Sequence, residues 1–147
     1  MNDHSNPEWP HISEDNMRPS FLPLFDSEEN GKFTNKYLQL FIAHIRGCQY
    51  YTGRIEAEKF IPKKHGRMSW KDISYFVPEA LIDNKNQHII FTWLKDNLDK
   101  DFEKFGWSGV FSFPRNVWIE NSELRMAPIK EIENSQLIFR NKYQPFT

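Results

Sequence analysis

The sequence predicts an all-β chain, and two observations carry that expectation. Short aromatic and β-branched runs alternate with turn signals at intervals of about 8 to 12 residues, the rhythm of a sandwich, a barrel or a propeller. Aromatic residues make up 16% of the 147 residues, while hydrophobic residues as a whole reach only 39% and the mean hydropathy is −0.70. Chains that are rich in rings but otherwise polar are often β proteins whose aromatics serve both a core and a carbohydrate-facing groove, because sugar C–H faces stack on rings.

The elements follow in order. Residues 1–16 carry two prolines and no periodic apolar pattern, which predicts a disordered N-terminal arm. Phe21 to Phe25 reads as a first strand, closed by the turn-rich Asp26 to Gly31. Tyr37 to His44 is of strand length, and Gly47 reopens the chain for a strand over Cys48 to Arg54. Tyr50 and Tyr51 alternate faces there, so at most one can line a groove. Glu58 to Pro62 is an edge-strand candidate, since proline is tolerated where no ladder donor is needed, and Lys63 to Arg67 follows as a loop. Tyr75–Ile82 and His88–Leu94 flank the polar Asp83 to Gln87 as a hairpin. Asn97 to Phe105, with Leu98, Phe102 and Phe105 at helical spacing, is a short helical turn or an exposed loop.

Gly106 to Arg115 is the most informative stretch. Glycines on both sides of Trp107 allow a sharp bend and close approach of a flat ligand, and Val110, Phe111 and Phe113 suit a strand that stops at Pro114. It reads as a pocket wall, with a core aromatic as the plainer alternative for Trp107. Asn116–Glu120 and Leu124–Met126 form a third hairpin, and Pro128 to Glu133 a helical turn that starts on proline.

Charge and composition exclude several function classes. The net charge is −1 and the Lys and Arg residues are scattered, so nucleic acid is not an expected partner. Cys48 is alone, which leaves no internal disulfide and no cysteine-based zinc cage. His65 reads as a turn residue, and His4, His11, His44 and His88 show no ligand spacing with it, so neither a metal nor a cofactor is expected. No window reaches the run of about 20 apolar residues that spans a membrane. Met1 to Glu14 lacks a signal-peptide core, so the chain as written is expected to stay cytoplasmic.

Three ordered segments add a family resemblance. HIRGCQYYTGRIEAEKFIPKKHGRMSW (44–70), YFVPEALID (75–83) and GWSGVFSFPRNVWIENSELRMAPIKEIE (106–133) resemble the later blades of glycoside hydrolase family 32, the β-fructofuranosidase, invertase and levanase group. The resemblance covers roughly Arg18 to Glu133. It implies part of a five-bladed β-propeller, about two to three blades over 17–133, preceded by the arm at 1–16 and followed at 134–147 by a linker or the start of a β-sandwich. It also implies hydrolysis of fructosyl bonds of sucrose or fructans with retention, using an Asp nucleophile, an acid/base Glu and a stabilising Asp.

The chain departs from that pattern. The Trp-Met-Asn-Asp-Pro-Asn-Gly motif of the nucleophile and the Arg-Asp-Pro motif of the stabilising Asp are absent, and Met17 stands where the acid/base Glu is expected. The chain is therefore expected to be an incomplete member, inactive by itself, associating with missing blades or with itself; the alternative is a non-catalytic carbohydrate-binding or assembly module. Glu79, which the resemblance puts beside the acid/base group, is the candidate catalytic residue, with pairing to Arg46, Arg67 or Arg115 as its structural alternative. Trp107, Asp72 and Tyr50 are the candidate sugar contacts.

Overall fold

The computed structural model describes residues 17–43, 46–68, 74–95 and 102–135. They build two antiparallel sheets packed face to face. The first is a four-stranded meander of β1 (Met17–Phe25), β2 (Phe33–Ala43), β3 (Gly47–Glu56) and β4 (Lys59–Arg67), in that order. The second contains β5 (Tyr75–Ile82), β6 (His88–Leu94), β7 (Val110–Phe111), β8 (Arg115–Glu120) and β9 (Glu123–Pro128). β7 and β8 share one flank of β6, pairing with its end and its start, so the sheet is a second meander whose third strand is interrupted. Two such meanders are two blades of a propeller, as expected.

The interruption has a local cause. Pro114 cannot donate to a ladder, and Ser112 turns onto Thr92 instead, its N–H reaching the Thr92 carbonyl at 2.7 Å and its Oγ accepting from the Thr92 N–H at 3.1 Å. β7 is thus only two residues long, shorter than the strand expected through Phe113. The short helix α1 (Phe102–Phe105) precedes it.

The expected loop at Lys63 to Arg67 is corrected: β4 runs through it, paired with β3 along its length. Pro62 is accommodated because β4 is an edge strand. Gly66 is required because the Tyr50 ring lies on it, and a Cβ there would meet the phenol at 2.5 Å. His65 is accordingly a strand residue whose ring lies 5.0 Å from that of Tyr51. The last helical turn spans 130–135, two residues later than expected, because Pro128 ends β9.

Strand alternation sets the core. Leu38 and Leu40 of β2 and Cys48 of β3 face the second sheet and pack with Leu24, Met68, Tyr75, Ile90, Val117 and Ile119. Tyr50 joins that cluster, whereas Tyr51 stacks on Phe41 on the opposite face, so the two tyrosines do diverge. Burial pushes the Cys48 thiol far above its usual range.

The β1–β2 loop locks the sheets together. The Asn30 N–H donates to the Lys85 carbonyl at 2.8 Å, Gln87 Nε2 donates to Glu29 Oε1 at 2.9 Å, and Asn116 Nδ2 donates to the Glu28 carbonyl. Lys130 Nζ lies 3.5 Å from Glu29 Oε2. Just behind this joint His88 is fully buried, with the Phe25 ring at 5.2 Å in an edge arrangement. Among the described residues neither of its ring nitrogens has a hydrogen-bond partner, and burial lowers its pKa to about 4.

Candidate functional site

Each meander begins at a sheet edge, and the two edges, β1 and β5, lie against one another. Both strands are bulged. Register slips between Met17 and Ser20 in β1 and between Phe76 and Pro78 in β5. At these slips Arg18 holds φ 46° and Val77 φ 49°, left-handed values that a β-branched residue adopts only under constraint. Bulges of this kind re-aim side chains and concentrate beside functional sites.

Here they bring together a charged pair. Arg18 Nη1 lies 4.0 Å from Glu79 Oε1, both side chains about two-thirds exposed. Exposure at that level makes the pair weak as a stabilising contact, on the order of 1 kcal/mol or less. It is better placed to exchange for a polar ligand than to hold the fold. Glu79 sits opposite Phe91 in the β5–β6 pairing, on the face turned away from Ala80 and Ile90 of the core.

Arg18 was not among the partners expected for Glu79. Of those three, Arg67 donates to the Arg46 carbonyl at 3.5 Å, and Arg115 lies over the Tyr75 ring at 5.8 Å. No local pattern marks Arg18, since its meeting with Glu79 depends on how two sheets pack.

Trp107 lies between α1 and β7 and is 53% exposed, so the core alternative is excluded. Phe111 and Phe113 beside it are more exposed still, at 79% and 69%. The flanking glycines behave as their positions implied: Gly106 has φ +71° and Gly109 φ +78°. Gly109, however, makes its close approach to Trp93, whose Nε1 would lie 2.1 Å from an added Cβ. Trp93 in turn has Phe76 edge-on to it, and Lys95 Nζ lies 4.1 Å above the Phe76 ring.

Tyr50 is half-buried between the sheets, and burial followed by the nearby Glu123 carboxylate raises its pKa. Asp72 lies outside the described residues, as do the arm at 1–16 and residues 136–147. Among the described residues no group of three or more His, Cys, Asp or Glu could hold a metal ion, and no helix is long and apolar enough to cross a membrane.

The chain matches known proteins along most of this architecture. A family model, glycosyl hydrolases family 32 N-terminal domain, matches residues 19–128. The chain is 39% identical over 137 residues to the β-fructofuranosidase insoluble isoenzyme CWINV3 of Arabidopsis thaliana, covering 78% of this chain and 23% of that protein. It is 31% identical over 90 residues to a fructan 1-exohydrolase of Aegilops tauschii, covering 54% of this chain and 15% of the relative. Among solved structures it is similar to the Bombyx mori GH32 β-fructofuranosidase BmSUC1, with a TM-score of 0.61, 14% identity, and coverage of 79% of this chain and 26% of that one. A glycoside hydrolase family 32 structure from Bifidobacterium adolescentis gives a TM-score of 0.58 at 16% identity, covering 82% and 19%. The chain thus spans less than a quarter of the length of the two curated relatives.

Proposed function

The chain belongs to glycosyl hydrolase family 32, and from that premise we propose that it forms two blades of a β-fructofuranosidase-type hydrolase acting on fructosyl bonds of sucrose or fructans. The observation that carries this reading is the Arg18–Glu79 pair, held by two bulged edge strands. A fructosyl hydroxyl can displace Arg18 and donate to Glu79, while the exposed Trp107 indole offers a stacking face to the sugar. Tyr50 and Asp72 complete the proposed sugar contacts.

The retaining mechanism needs two carboxylates about 5 to 5.5 Å apart, one attacking and one delivering a proton to the leaving oxygen. Glu79 is proposed for the second role, in place of the Glu whose position Met17 takes. The attacking carboxylate has no match in the 147 residues, so the chain by itself is expected to bind without turnover.

The occupation of that position by Met17 also favours a second reading, a carbohydrate-binding or assembly module that does not hydrolyse. One experiment separates the two: Glu79→Gln is placed in a full-length protein that carries the Asp nucleophile motif, and sucrose hydrolysis is followed. A fall of about 100-fold in kcat supports Glu79 as the acid; unchanged turnover removes it from catalysis. Fructan binding by the 147-residue chain, lost in Trp107→Ala without any hydrolysis, would favour the binding module.

The proposal extends to assembly. The face of the first sheet turned away from the second carries Phe21 stacked on Tyr37, with Phe33 and Phe60 edge-on to them. Phe21 and Phe33 are 44% and 47% exposed. Further blades or a second copy are the proposed cover, and a compact, stable monomer in sedimentation would count against it.

A further inference from the structure

Tight turns at 57–58 and 121–122 and the loops at 26–32 and 83–87 all close at one end of the two sheets, whereas Trp107 precedes β7, which joins the opposite end of β6. At the turn end, between strands β2, β3 and β4 of the first sheet and the β8–β9 turn, lies a cleft of roughly 390 Å³. Its lining includes Lys36, Arg54, Lys63 and Lys64, against a single carboxylate, Glu123. On a chain whose net charge is −1, four cations facing one anion mark a local reversal of sign.

The backbone is shaped to produce it. Adjacent residues of a strand point to opposite faces, so Lys63 and Lys64 would ordinarily diverge. Thr52 pairs with Lys64 but Gly53 pairs with Pro62, which leaves Lys63 as the extra residue of a bulge. The bulge lets both lysines line the same cleft. It depends on Gly53, where a Cβ would meet the Ile61 carbonyl oxygen at 2.3 Å.

The charges are unequally engaged. Lys64 is paired with Glu123, whose carboxyl is lowered by that hydrogen bond and by the lysine charge. Lys36 Nζ lies 3.4 Å from Ser122 Oγ. Among the described residues Arg54 and Lys63 make no ion pair, and both are exposed. A guanidinium and an ammonium lining one cleft, with the hydroxyls of Thr52 on β3 and Ser122 on the β8–β9 turn, match a compact tetrahedral oxyanion better than a neutral sugar. The volume leaves room for a substituent on that anion.

We propose that this cleft binds a phosphoryl group, either as free phosphate or as a phosphate monoester, at a site separate from the Arg18–Glu79 pair. The test is calorimetric titration of the 147-residue chain with inorganic phosphate and, separately, glycerol phosphate at constant ionic strength. Saturable binding is expected, weakened by about tenfold or more in the Arg54→Gln/Lys63→Gln variant, because two charge-assisted contacts are lost at exposed positions. Lys32→Gln, which removes one charge outside the cleft, should leave binding unchanged. Tighter binding of glycerol phosphate assigns the site to monoesters, and tighter binding of inorganic phosphate to the free anion. Absence of saturation, or equal weakening by Lys32→Gln, overturns the proposal.

Discussion

Acid should weaken this protein through His88, and the size of the effect follows from its burial. The imidazole has no exposed surface and no hydrogen-bond partner among the described residues, so its charged form is disfavoured and its pKa falls from 6.5 to about 4. The unfolded chain therefore takes up a proton on this residue first. As pH drops from about 6.5 towards 4 the unfolded state binds more protons than the folded one, and stability declines; above and below that window His88 adds no slope. At 1.36 kcal/mol per pH unit the full loss is about 3 kcal/mol, of which about 2 is expended by about pH 5. Against a total stability of about 5 to 15 kcal/mol this is a large fraction. In urea denaturation it appears as a midpoint lower by about 1 M at pH 5 than at pH 7.5. His88→Leu keeps an apolar contact with Phe25 and removes the titration, so its midpoint should lose about 1 M less over the same interval. Equal losses in both proteins would refute the reasoning and assign the acid sensitivity to carboxylates.

Two backbone predictions complement this one. Gly109→Ala should lower stability by about 2 kcal/mol or more, since φ is +78° and the new Cβ meets Trp93, whereas Gly106→Ala, with φ +71° and open space, should cost about 1 kcal/mol. Thermal denaturation checks the difference, and equal costs would mean that the Trp93 contact does not restrain the bend. The two-residue β3–β4 turn places Ala57 and Glu58 at φ 48° and 64°, conformations that Asn and Gly adopt with less strain. Ala57→Asn with Glu58→Gly should therefore raise stability by about 1 to 2 kcal/mol, a rise of several degrees in Tm; a fall would show that the native side chains contribute there in another way.

What could be read from the residues was what local chemistry decides. The β5–β6 turn announces itself because Asp83 Oδ1 accepts from the N–H groups of Lys85 and Gln87 at 2.8 and 2.9 Å, a function aspartate performs within its own neighbourhood. The β8–β9 hairpin follows from Asn121 and Ser122, which take φ of 51° and 64°. The β3–β4 turn has no local signature, because Ala57 and Glu58 lack the Asn, Asp or Gly that positive φ favours. The Lys63 to Arg67 stretch, charged and glycine-containing, looks like a loop until β3 supplies its partners. Glu79 and Trp107 were visible as residue types in a motif. The pairing with Arg18 and the four cations of the cleft were not, because contacts 61 and 86 residues apart in the chain, such as Arg18 to Glu79 and Lys36 to Ser122, are set by packing of one sheet on the other.

Successive strands in each meander pair with their immediate predecessors, apart from the β7–β8 interruption, and this has a kinetic consequence. Apart from the β6–β8 pairing, each hydrogen-bonded ladder grows from a short hairpin connection, so each sheet can zip up from its own hairpins before the other exists. The late event is the docking of two preformed units, when the 26–32 loop finds Lys85, Gln87 and Asn116. During synthesis the leading unit would wait with its apolar side bare until the trailing one emerges, which makes the interval between them the period of greatest exposure to chaperones and to misassociation.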